Sequence, residues 1–148
     1  MNLEQLQGSD VAARLGLSTL LGEGGMWAPV HRDDHGNTIL YLMESPDFSS
    51  WHRLQESETW ILLAGAPVAL HTIDHEHFKR ELSRSPESVL LTHTVPAGVW
   101  MAAESLGEWS LVACSLTPAF TEMELATRDL VDQWCMRFGP EIGRYFHG

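Results

Sequence analysis

Trp51-His-Arg-Leu-Gln-Glu-Ser-Glu-Thr-Trp-Ile-Leu-Leu-Ala-Gly65 reads as a strand, a polar turn and a second strand. In extended chain, successive side chains point to opposite faces. His52 and Leu54 therefore share a face and, after the turn, Glu58, Trp60 and Leu62 point the same way. That puts an imidazole and a carboxyl among apolar neighbours on one interior surface. As scaffold, the two form a buried hydrogen-bonded pair that pins strands together, since a buried charge persists only with a partner. As a site, they are the usual ingredients of proton transfer, or two ligands.

Outward from this stretch, residues 26–115 are short β-rich runs separated by turn signals such as Asp33-Asp-His-Gly-Asn37, Ser45-Pro-Asp47, Gly65-Ala-Pro67, Asp74-His-Glu-His77 and Ser105-Leu-Gly107. Alternation at this spacing predicts an all-β sandwich or barrel. Ser9 and Asp10 are N-cap candidates for a short helix over about 9–16, which Gly16 stops. Beyond Pro118 the composition turns helical: Leu125, Leu130, Val131 and Trp134 form an apolar stripe, and Gly139-Pro140 breaks it into two short helices within about 121–146. With 148 residues and 44% hydrophobic content, the chain suits a single domain over 1–148, its barrel at about 24–120.

A net charge of −11 with nine basic residues argues against nucleic acid and anionic membranes, which need clustered Lys and Arg. The first ten residues lack the basic start and apolar core of a signal peptide, and no stretch is long enough to span a bilayer, so a cytoplasmic protein is expected. Cys114 and Cys135 lie in different kinds of segment without CxxC spacing and read as free thiols.

His52, Glu58 and Gly65 stand at the spacing of the first motif of the cupins, with Leu54 where that motif carries a second histidine. Pro96-Ala-Gly98-Val-Trp-Met101 matches the second motif, with methionine replacing its terminal histidine. Together with Gly24-Gly25, residues 38–43, 47–54, 65–71 and 109–120, the pattern resembles the small DUF985 or cupin-5 family over about 10–146. The resemblance implies a cupin barrel, that is, a double-stranded β-helix or jelly roll, related in fold to the dTDP-sugar epimerases and commonly a homodimer. It also implies that two of the four usual metal ligands are gone. No metal cofactor is expected, and His52 and Glu58 remain as two ligands for weak binding at most.

Six tryptophans in so small a chain supply core, and those near a barrel mouth can also line a ligand pocket. The expected cavity has His52 and Glu58 as its polar pole, and Tyr41, Met43, Trp60, Trp100 and Met101 as its wall. His71, on the next strand, faces either inward beside them or outward to solvent. His75 and His77 read as solvated turn residues, while His31, His35, His93 and His147 lack a partner at ligand spacing. Arg53 alternates with His52 and faces out, leaving no basic group near the motif to hold a phosphate.

Two functions follow from these residues. In the first, the barrel holds a small, partly apolar metabolite without chemistry. In the second, it is an epimerase or isomerase acting on a small, sugar-like substrate, with His52 as general base and Glu58 or Tyr41 as its partner. A base and an acid are present but no clear clamp for substrate charge, which favours binding.

Overall fold

The computed structural model describes residues 2–148. Among the described residues, eleven strands build two antiparallel sheets. They are β1 (Ser18–Thr19), β2 (Met26–Arg32), β3 (Asn37–Glu44), β4 (Ser49–Leu54), β5 (Ser57–Gly65), β6 (Val68–Ile73), β7 (His77–Leu82), β8 (Thr92–Val95), β9 (Trp100–Ser105), β10 (Trp109–Thr117) and β11 (Met123–Leu125). One sheet runs β1-β2-β3-β10-β5-β8 and the other β11-β4-β9-β6-β7. The chain crosses repeatedly between them, giving the expected jelly-roll barrel.

Strand parity sorts side chains into three apolar layers. Tyr41, Met43, Leu54, Trp60, Leu62, Leu70, Met101, Val112 and Leu116 meet between the sheets. Their odd or even neighbours point out, yet most of these do not meet water. A short helix α1 (Gly8–Leu15) lays Val11 and Ala12 over Leu42, Ala64, Trp109 and Leu111. Helix α2 (Arg128–Phe138) and the 3-10 turn Pro140–Tyr145 cover Trp51, Ile73, Trp100 and Ala102 with Val131, Trp134, Ile142 and Tyr145. Strand β6 is in consequence buried at every position.

Local chemistry sets the helix ends. Gly16 ends α1 at φ 67°, a left-handed conformation that glycine adopts without a Cβ penalty. Thr127 caps α2 by accepting from the Leu130 N–H. The helical composition expected from residue 121 takes effect only at Arg128. Before it, Met123–Leu125 pairs with β4 as an edge strand, opposite Leu54, Arg53 and His52. Cys114 is buried and Cys135 half-buried, both as free thiols. No helix among the described residues is long and apolar enough to cross a membrane.

Candidate functional site

A cavity of about 260 Å³ opens between the sheets at one end of the barrel. Its walls are mostly apolar: Leu20, Trp27, Pro29, Ile39, Leu54, Leu116, Phe120 and Met123. Its polar groups are Glu23, His52 and Glu58, all largely buried, together with the exposed His31 and Arg32 and the half-buried Asn37.

His52 is held in a defined orientation. Its Nδ1 lies 2.7 Å from the Ser50 carbonyl, which can only accept, so Nδ1 carries a proton and donates. Nε2 then faces Glu23, whose Oε2 stands 3.7 Å away. The same Oε2 accepts the Ser49 hydroxyl at 2.5 Å. Sequence reasoning missed Glu23, which arrives from the turn between β1 and β2. In that turn Gly22, Gly24 and Gly25 have φ of 87°, 96° and 76°, which residues with a Cβ rarely adopt. A Cβ on Gly25 would stand 2.5 Å from the Tyr41 hydroxyl, so only glycine lets the turn press Glu23 into the barrel. The signal available was the run Gly22-Glu-Gly-Gly25 itself: one acid set among glycines.

Glu58 sits deeper, on β5, at 6% exposure. Burial, and then the negative charge of Glu23, push its pKa up to about 8. The Trp60 indole N–H opposes that shift but lies outside hydrogen-bonding geometry. Both Glu58 Oε1 and Trp60 Nε1 are buried without a partner among the described residues. At neutral pH the carboxyl is therefore mostly protonated, an acid beside an oriented imidazole.

None of the expected wall residues lines the cavity: Tyr41, Met43, Trp60 and Met101 are packed in the core between the sheets, and Leu54 stands in the wall instead. The Tyr41 hydroxyl donates to the Gly24 carbonyl at 2.6 Å, which ties it to the turn carrying Glu23. Trp100 points out of the barrel, against Trp134 and under the Arg53 guanidinium. His71 also points outward, though not into solvent: it contacts Tyr145 Oη at 3.0 Å and His77 Nε2 at 2.9 Å beneath the C-terminal cover. Burial, followed by the charges of His77, Lys79 and Arg144, pushes its pKa down to about 4. His77 is thus a half-buried partner rather than a free turn residue. Arg53 is half-buried and pairs with Glu124, so the cation beside the cavity is Arg32. Arg32 Nη2 donates to the Phe120 carbonyl at 2.8 Å, closing β2 onto the loop before β11.

The residues do not fit a cupin metal ion. Leu54 and Met101 fill two of the ligand places, Met101 directly across from His52 in the β4–β9 register. Among the described residues no three His, Cys, Asp or Glu side chains are grouped to hold a metal. No reaction step through a metal follows from this donor set.

The sequence matches the model of a cupin superfamily family (DUF985) over residues 9–127. Among solved structures, a protein from Shewanella oneidensis superposes with TM-score 0.89 at 20% identity, covering 97% of this chain and 99% of that one. A hypothetical protein from Leishmania major gives TM-score 0.86 at 23% identity, over 97% and 100% of the two chains. A cupin 2 domain-containing protein from Halorhodospira halophila reaches 0.66 at 11% identity, over 88% of each. At these identities the likeness is one of fold. No curated protein matches the sequence.

Proposed function

This chain belongs to the DUF985 family of the cupin superfamily, and from that premise we propose that its barrel binds a small, partly apolar metabolite without a complete metal site. One observation carries the reading: apolar walls close over a buried Glu58 whose Oε1 has no partner among the described residues. A buried polar atom left unpaired costs about 1–3 kcal/mol, and a ligand that hydrogen-bonds it relieves that cost while its apolar body takes the walls. Loss of two ligand places to Leu54 and Met101 turns an ion site into room for an organic group.

The test is retention of small molecules by purified protein. Mass spectrometry of the denatured protein is expected to release a stoichiometric organic compound from wild type and none from His52→Ala or Glu58→Gln. Methyl NMR adds the location: a bound compound should shift Ile39, Leu54 and Leu116. Retention unchanged in both variants, or shifts only elsewhere, overturns the reading.

An epimerase or isomerase with His52 as general base is the second reading. It is favoured by the His52 tautomer, which aims Nε2 at the cavity, and by Glu58 as a proton donor near neutrality. Arg32 at the rim offers this reading a candidate charge clamp that sequence analysis did not find. Solvent deuterium entering a sugar-like substrate at the carbon beside its carbonyl, in wild type and not in His52→Ala, would establish it; no incorporation leaves binding alone.

A further inference from the structure

We propose that the cavity selects ligands whose buried end is a protonated amine, held between Glu23 and Glu58 with its apolar body along the walls. The inference rests on the cavity being a small-molecule site and adds the chemical class it takes. Glu23 and Glu58 bring two carboxyls to the floor against one imidazole, and both are buried. The permanent cation on the lining, Arg32, lies at the rim with Nη2 engaged by the Phe120 carbonyl. Glu58 Oε1 adds a buried oxygen without a partner among the described residues.

Four kinds of ligand end can be compared at that floor. A carboxylate or phosphate meets two acids and no basic side chain but His52. An alkyl end leaves Glu58 Oε1 unpaired. A hydroxyl offers one donor and no charge. An ammonium offers three donors and a positive charge, and a buried ammonium requires the paired anions this floor provides.

Proton balance follows. The amine enters as RNH₃⁺, the Glu58 carboxyl gives up its proton to solvent, and the ammonium then faces two carboxylates.

Benzylamine, benzyl alcohol and benzoate share one ring and differ in the group at its end. In NMR titrations at pH 8, where the amine is still cationic, benzylamine is expected to shift the Ile39, Leu54 and Leu116 methyls with an affinity at least about tenfold above benzyl alcohol, and benzoate to leave them in place. Glu58→Gln should bring benzylamine down to the affinity of benzyl alcohol, while the comparison of the three ligands on wild-type protein is independent of any variant's folding. Benzyl alcohol or benzoate binding as tightly as benzylamine overturns this inference and leaves the cavity reading intact. If none of the three moves the cavity methyls, the cavity reading falls and takes the inference with it.

Discussion

Glu23 Oε2 stands 3.7 Å from His52 Nε2, while the ring's opposite nitrogen is fixed on the Ser50 carbonyl. An acid from one sheet's edge turn thus faces an imidazole from the other sheet, inside a barrel where neither has a further charged partner at bonding distance. The electrostatics of the cavity follow from this pair.

Glu23→Gln removes one of the negative charges that disfavour ionisation of Glu58. The pKa of Glu58 should fall below about 8 yet stay above the ordinary carboxylic range, because burial, the larger cause, is untouched. Carboxyl-carbon NMR titration reads the shift directly. An unchanged value would mean that Glu23's charge does not reach Glu58.

Stability should fall with rising pH because of Glu58. Its folded pKa of about 8 lies above the ordinary 4.5, so between those values the native state holds a proton that the unfolded chain has released. The contribution is complete below pH 4.5 and is lost at about 1.4 kcal/mol per pH unit as pH rises through the window. Denaturant unfolding at pH 6.5 to 8, above the range in which His71 titrates, should show that slope in wild type and its loss in Glu58→Gln. Parallel profiles for the two proteins would refute it.

His71 acts at the acid end with the opposite sign. Its folded pKa of about 4 lies below the ordinary 6.5. The unfolded chain therefore binds a proton that the native state refuses, and stability is lost as pH falls from 6.5 towards 4. His71→Gln should flatten that limb, and at pH 7 cost about 1–3 kcal/mol by disturbing the bonds to Tyr145 and His77. An acid limb as steep as wild type would assign the loss to other groups.

Purified protein should hold little transition metal, since among the described residues Glu23, His52 and Glu58 are not grouped to hold one and a stable site takes three or four ligands in a set geometry. Elemental analysis after dialysis against chelator checks this. Close to one equivalent of Zn, Ni, Fe or Mn would contradict it.

A homodimer remains our proposal for the assembly. Strands β7 and β8 are the outer strands of their sheets, with unpaired backbone edges that proteins usually cover. Exposed Leu63, Phe78, Val89, Leu90 and Leu91 lie on or beside them. Light scattering at micromolar concentration should give twice the 16.6 kDa of one chain; the single-chain mass would exclude it.

The spacing of His52, Glu58 and Gly65 identified the barrel through its resemblance to the cupin motif, and the alternation around it brought His52 and Glu58 to one cavity, because β-strand periodicity is a local property of the chain. Gly16 announced a helix end for the same reason. Periodicity fails where both faces of a strand are buried: β6 is apolar on either side, so nothing in Val68–Ile73 told whether His71 looks into the barrel or under the C-terminal cover. The wall residues Tyr41, Met43, Trp60 and Met101 had the right parity but the wrong depth, since depth along a barrel depends on strand stagger. Glu23 and Arg32 reach the cavity only because β2 folds across its mouth, with the glycine-rich turn before it pressed inward against Tyr41 and Ser49. Local sequence therefore determined which face each strand offers, whereas the acidic floor depended on contacts between distant segments, and only the closed tertiary structure could decide it.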